Sequence, residues 1–191
     1  MVSLLNKTGN LMLIGPPMVG KTIFVRNVML EELKKGNGGI YVAANNTGEE
    51  IVEWFGEMYN LKVIDCVSKM LYPDIEDTEI IKRIPSPMDF TGITVKVSVF
   101  LKENFKNHIK SFVVFDSLST FLMYLNLQAV IRFLKIMTKR IKLTNSLAIY
   151  IVHEGVHDKR VISTLRNEFD GIIEMKEIDN KKFLKFETVK C

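Results

Sequence analysis

Eight residues, Gly15-Pro16-Pro17-Met18-Val19-Gly20-Lys21-Thr22, constrain this chain more than any other stretch. They fit the pattern G-x-x-x-x-G-K-[ST], in which each fixed position has a physical task. Gly15 and Gly20 let the backbone turn where a side chain would collide with phosphate. Successive backbone N–H groups then point inward at an anion, and the helix that follows adds the positive end of its dipole. Lys21 places a cation between β- and γ-phosphates, and the Thr22 hydroxyl is a ligand for Mg²⁺. Pro16 and Pro17 stiffen the loop and remove N–H groups only at its start. The context is the required one. Leu11 to Gly15 reads as a buried strand that stops at glycine. Lys21 to Lys35 has helical spacing at Ile23, Val28, Leu30 and Leu33, until the glycine-rich stretch at 36–39 breaks it. The expected ligand is a nucleoside triphosphate, ATP with Mg²⁺.

The rest of the chain alternates strand and helix signals. Strands are expected at 39–44, 61–66, 111–116 and 147–152, each a short apolar run. Thr47 with Glu50 three residues on predicts a capping box and a helix to about Tyr59. Residues 67–88, with Pro73, Pro85, Pro87 and several acids, read as a surface excursion. A helix is expected from Asp89 or Thr91 to about Asn107. Its β-branched alternation (Ile93, Val95, Val97, Val99) argues for strand, but a crossover is needed before the next strand. Asn126 to Leu143 is a second clear helix and 158–169 a short one. Residues 171–178 and 181–189, separated by Asp179-Asn180, predict a terminal β-hairpin. The sum is an α/β fold: a mainly parallel twisted sheet flanked by helices, with a C-terminal hairpin and the ligand site at the carboxyl ends of the strands.

Length and composition fit one domain spanning 1–191. The chain has 191 residues, 47% hydrophobic and 25% charged, enough for a core and outside the disordered class. No apolar run approaches the roughly 20 residues of a membrane helix, and the first residues lack the features of a signal peptide. A cytoplasmic location without membrane attachment is expected. Cys66 and Cys191 fit a reducing compartment and show no metal spacing. The net charge of +4 is a mild excess, spread along the chain, and makes nucleic acid binding unlikely. The densest basic group, Lys135, Lys139, Arg140 and Lys142, reads as a solvated helix face. Asp116 ends the apolar run Phe112 to Asp116, where a carboxylate can hold Mg²⁺ through a water.

With the loop at 15–22, residues 112–121, the strand 147–152 with its polar exit and the hairpin from 169, the sequence resembles the RecA/KaiC-like P-loop ATPases, in particular short single-domain archaeal KaiC-like proteins. The resemblance covers almost the whole chain. It implies a RecA-like core, ATP plus Mg²⁺, and a homo-oligomer with nucleotides at subunit interfaces. The departures from the family pattern bear on catalysis. Where these proteins carry one or two glutamates after the second strand, this chain has Asn45 and Asn46. Asparagine can orient water but cannot accept its proton. Glu49 and Glu50 lie about one helical turn on and are expected to face elsewhere. The family's K-x-R on the last strand corresponds here to Thr188-Val189-Lys190. His153, at the exit of the strand 147–152, is either a γ-phosphate sensor or a histidine satisfied by a loop carbonyl. Glu154 and His157 read as ordinary loop residues.

Three functions follow from these residues. The first is a nucleotide-dependent switch or assembly subunit, with an unknown protein partner and weak or absent hydrolysis. The second is an active ATPase with atypical water positioning through His153 or a partner's residue. The third is a small P-loop kinase, for which Arg160 and Arg166 are the only lid arginines on offer.

Overall fold

The computed structural model describes residues 8–56, 58–179 and 181–188. Eight strands form one sheet: β1 (Gly9–Gly15), β2 (Gly38–Ala43), β3 (Leu61–Asp65), β4 (Ile81–Arg83), β5 (Ser111–Asp116), β6 (Leu147–His153), β7 (Gly171–Ile178) and β8 (Lys181–Thr188). Their order across the sheet is β4-β3-β2-β5-β6-β1-β7-β8. Every pairing is parallel except β7 with β8, the C-terminal hairpin. This is the RecA-like α/β arrangement expected from the sequence, with β6 inserted between the loop strand β1 and the Asp116 strand β5.

Parallel strands read as continuous apolar runs because both faces are covered. Each of β1, β2 and β5 is buried along its whole length. Alternate residues feed two cores. Met12 and Ile14 pack with Phe121, Phe133 and Met137 beneath α4 (Phe90–Lys106), α5 (Leu118–Tyr124), α6 (Leu127–Leu143) and α7 (Lys159–Arg166). Leu11 and Leu13 pack with Val25, Met29, Ile51 and Phe55 beneath α1 (Lys21–Lys34) and α2 (Gly48–Phe55). Among the described residues no helix is long and apolar enough to cross a membrane.

The structure corrects the expected elements in four places. The excursion at 67–88 contains α3 (Ser68–Leu71) and an edge strand, β4, which pairs with β3 through Val63↔Ile81 to Asp65↔Arg83. Three residues are too few for a periodic signal. The helix α2 stops at Phe55, not near Tyr59, because Gly56 adopts φ 72°. In α1 the buried stripe is Val25, Val28, Met29 and Leu33, while Ile23 is 60% exposed. The short helix α5 follows β5 and had no separate signal. The β-branched segment 90–106 is helical: Asp89 caps it, accepting from the Gly92 N–H at 2.8 Å. Burial of Ile93, Val97, Phe100 and Leu101 along one stripe outweighs local β propensity. The capping box at Thr47 and Glu50 forms as expected. Cys66 is a buried thiol; Asn180, Lys190 and Cys191 lie outside the described residues.

Candidate functional site

The carboxyl ends of β1, β2, β5 and β6, neighbours in the order β2-β5-β6-β1, carry the candidate residues named from the sequence. β1 ends at Gly15, and the loop 16–20 turns directly into α1. Met18 and Gly20 sit at φ 62° and 99°, the left-handed conformations that curl a loop so that its N–H groups face inward. Gly20 caps α1 without any side-chain hydrogen bond, so the first-turn N–H groups are free to bind an anion. Met18 is 99% exposed at the loop tip, whereas Val19 is buried beneath it as an anchor. Gly15 is required for a reason that the sequence reading did not contain. A Cβ there would lie 2.3 Å from the Met175 carbonyl oxygen of β7, so the close β1–β7 approach forbids a side chain.

Lys21 folds back over the loop. Its ammonium donates to the Gly15 carbonyl at 2.7 Å and to the Pro16 carbonyl at 2.5 Å. Only 3% of the residue is exposed. Burial lowers its pKa to about 8, opposed by Asp116 and Glu154. A cation held by two neutral carbonyls in a partly desolvated loop gains most from an arriving anion.

Asp116 closes the far side. Its Oδ1 accepts from the Thr22 hydroxyl at 3.5 Å, and its Oδ2 accepts from the Tyr41 hydroxyl at 2.5 Å. Thr22 and Asp116 thus present hard oxygens to one point, the donor set that suits Mg²⁺, which keeps waters and phosphate oxygens for its remaining positions. No group of three or more His, Cys, Asp or Glu side chains able to hold a metal alone is present among the described residues. The residues fit a metal that arrives with phosphates.

Arg26, one turn beyond Thr22, was missed by the motif because nothing in a linear pattern marks it. Its guanidinium donates to Tyr41 Oη at 3.1 Å and to Asn46 Oδ1 at 3.2 Å, and lies 4.0 Å from Asp116 Oδ2. It also stands over the rings of Tyr41 and Trp54, 5.5 and 5.7 Å from their centroids. Asn46 is therefore fixed between Arg26 and Glu50, to which its Nδ2 donates at 3.0 Å. Asn45 is fixed too. Its Oδ1 accepts from Thr120 Oγ1 at 2.5 Å, and its Nδ2 donates to Ser117 Oγ at 3.5 Å. Asn46 is thus linked to Asp116 through Arg26, and Asn45 to the residues just after Asp116; both side chains are engaged. Glu49 is turned to Arg83, whereas Glu50 caps α2 and stays beside Asn46, so only Glu49 is drawn off by a partner outside this cluster.

His153 ends β6. Its backbone N–H donates to Ser119 Oγ at 2.8 Å, and its Nδ1 is buried without a partner among the described residues. Burial, with Lys21 and His157, lowers its pKa against the pull of Asp116. Among the described residues no loop carbonyl satisfies Nδ1, which leaves a ring nitrogen spare within electrostatic reach of Lys21 and Asp116. Glu154 is more than a loop residue: its N–H donates to the Gly15 carbonyl at 2.9 Å and ties β6 to the loop.

The hairpin contributes a cation that the sequence reading placed elsewhere. Lys182 at the start of β8 puts Nζ 2.7 Å from the point a Cβ on Gly20 would occupy. Thr188, at the other end of β8, pairs with Gly171, which in turn pairs with Leu11 at the far end of β1. The positions matched to K-x-R thus begin away from this chain's own loop. Of the lid arginines, Arg166 is engaged by Glu174 at 2.6 Å and Glu187 at 3.6 Å.

A family model described as a family of unknown function (DUF7504) matches residues 29–175. No curated protein matches the chain. Among solved structures, an uncharacterized protein from Pyrococcus horikoshii, crystallised in complex with an unknown peptide, superposes with a TM-score of 0.67 at 15% identity, over 96% of this chain and 85% of that one. The flagellar accessory protein FlaH from Methanocaldococcus jannaschii superposes with a TM-score of 0.55 at 14% identity, over 95% of this chain and 78% of that one. At such identities these likenesses establish a shared fold.

Proposed function

The chain belongs to this family of unknown function, and from that premise we propose that it binds ATP with Mg²⁺ at Gly15 to Thr22 and acts as a nucleotide-dependent switch or assembly subunit with weak or absent hydrolysis. The observation that carries the reading is the buried Lys21 ammonium, held by the Gly15 and Pro16 carbonyls of the loop, with Thr22 bonded to Asp116 one residue on. In this reading Lys21 exchanges its two carbonyl acceptors for phosphate oxygens, and the N–H groups at the start of α1 bind the same anion. Thr22 and Asp116 would hold the metal, which supplies charge neutralisation on the phosphates.

Weak hydrolysis follows from the two amides. Asn45 and Asn46 can orient a water but cannot take its proton, and loss of a general base costs roughly 10²–10⁴ in rate. We place the protein in the cytoplasm as one nucleotide-binding domain over 1–191. Bound nucleotide would then set its affinity for a protein partner or for copies of itself. The Pyrococcus horikoshii neighbour, crystallised with a peptide, is compatible with partner binding.

One titration with ATP and Mg²⁺, following binding and phosphate release together, tests the proposal. Saturable Mg²⁺-dependent binding, lost in Lys21→Ala, with phosphate release near background, is the expected result. Absence of binding removes the proposal. Rapid turnover favours the second reading, an ATPase that positions water through His153, whose unpartnered buried Nδ1 is the one observation on its side. In that case His153→Ala lowers turnover while ATP affinity persists.

A further inference from the structure

The near-neutral charge of the chain hides a segregation. Helices α4 and α6 carry three and five basic residues and a single acid, Glu103. The segment 73–79 carries four carboxylates, Asp74, Glu76, Asp77 and Glu79, and no cation. α4 lies between the two. On one side its Lys96 pairs with Asp77 at 3.2 Å. On the other its Thr94 carbonyl and Ser98 hydroxyl accept from the Arg140 guanidinium of α6.

Each patch also carries apolar surface. Two clefts, of about 390 Å³ and about 290 Å³, run between α4 and α6 and share Arg140 as a common wall. Val95 and Ile136 line the first and Leu143 the second; they are 55%, 48% and 77% exposed. The acidic segment is preceded by Met70, Leu71 and Tyr72, exposed by 51%, 61% and 65%. Apolar surface of this kind bordered by charge marks an interaction site rather than a solvated face. Apart from the Asp77–Lys96 pair, no carboxylate of 73–79 is ion-paired among the described residues. The same holds for Arg132, Lys135 and Lys139 on α6.

We propose that this face is a self-complementary dimer interface, in which the segment 70–79 of each copy docks on the α4–α6 groove of the other. The occupant is set by complementarity within the chain. A basic groove with apolar clefts repels its own like, but it matches the acidic, apolar-led segment on the other flank of α4. A two-fold axis running along α4 exchanges the two flanks, so each acidic segment meets the opposite α6 and both contacts form at once. The exposed ridge Val95 and Val99 lies at the centre, Met70 to Tyr72 fill the clefts, and Asp74, Glu76 and Glu79 face Arg132, Lys135 and Lys139. The groove lies on the face of the sheet opposite α1, so the interface leaves the phosphate loop uncovered.

Sedimentation equilibrium on the full chain at low and high salt tests it. The wild type is a dimer that weakens with salt. Arg132→Glu with Lys139→Glu, and separately Glu76→Lys with Glu79→Lys, each weaken dimerisation at least about tenfold. Circular dichroism on each variant confirms folding. Mixing the two variants restores a dimer, since every reversed contact is again matched. If one variant fails to fold, the single chain carrying all four changes replaces the mixture, and it too is a dimer. A wild-type monomer at concentrations up to roughly 1 mM, where even weak association shows, overturns the proposal. So does a dimer unmoved by either reversal, a higher oligomer, or a mixture that stays monomeric. Salt-dependent binding of anionic vesicles to the monomer, lost in Arg132→Glu with Lys139→Glu, would assign the groove to a membrane surface and likewise overturn it.

Discussion

The Tyr41 hydroxyl donates to Asp116 Oδ2 at 2.5 Å, across the neighbouring strands β2 and β5, and so turns Oδ1 toward Thr22. Tyr41 is fully buried, and burial together with Asp116 raises its pKa far above the ordinary phenol range. It is a permanent donor and sets which carboxylate oxygen is left for a metal. Tyr41→Phe leaves a 5% exposed carboxylate short of a partner, at a cost of about 1–3 kcal/mol. Urea unfolding of the variant against wild type measures this; an unchanged midpoint would show that the hydrogen bond is dispensable.

On the proposed function, Lys21 makes ATP binding pH-dependent. Its folded pKa is lowered from 10.5 to about 8, so above pH 8 the free protein holds a neutral amine. Phosphate binding favours the charged form and must then take up a proton. Affinity for ATP is expected to be flat below pH 8 and to fall by up to about tenfold per unit above it. For stability the sign is opposite: a lowered lysine pKa is a cost at neutral pH that is relieved as pH rises from about 8 toward 10.5. Titration calorimetry in two buffers of different ionisation enthalpy detects the proton uptake.

His153 and His157 both have pKa values lowered by burial. Each must charge on unfolding in acid, so stability is full above the unfolded value of 6.5 and declines as pH falls below it. His153→Asn should flatten the loss between pH 7 and 5 in thermal melts; a parallel decline in wild type and variant argues against it.

Arg26 predicts the outcome of an obvious rescue. Asn46→Glu places a carboxylate where the RecA/KaiC-like ATPases that the sequence resembles carry one, but the guanidinium already 3.2 Å from Asn46 Oδ1 will pair with it. Phosphate release should stay within a few-fold of wild type. Adding Arg26→Met frees the base, and release should rise by about tenfold or more. Equal rates in the single and double variants would show that Arg26 does not hold the group.

Lys182 lies over the loop from outside the motif, beside Gly20. Lys182→Gln is expected to weaken ATP binding by roughly three- to tenfold, as loss of one exposed cation near a phosphate would. Lys181→Gln, on the next residue of the same strand, serves as the control and leaves affinity unchanged.

What could be read in the sequence was what is local. The loop 15–22 announces itself because phosphate binding needs glycine, lysine and a hydroxyl at fixed spacing in one stretch. Strands buried on both faces read as apolar runs, and the Thr47–Glu50 box carries its own cap. Asn45, Asn46 and Asp116 stand out as candidates because they sit at or just past strand ends in a known order. What only the tertiary structure decided depends on residues far apart in the chain. β4 is a strand because Asp65 and Val63 lie beside it, and 90–106 is a helix because one stripe of it covers the sheet. Gly15 is glycine also because β7 presses on it. Arg26, Tyr41 and Lys182 belong to the site because strand order places α1, β2 and β8 around one loop, a relation no linear spacing encodes.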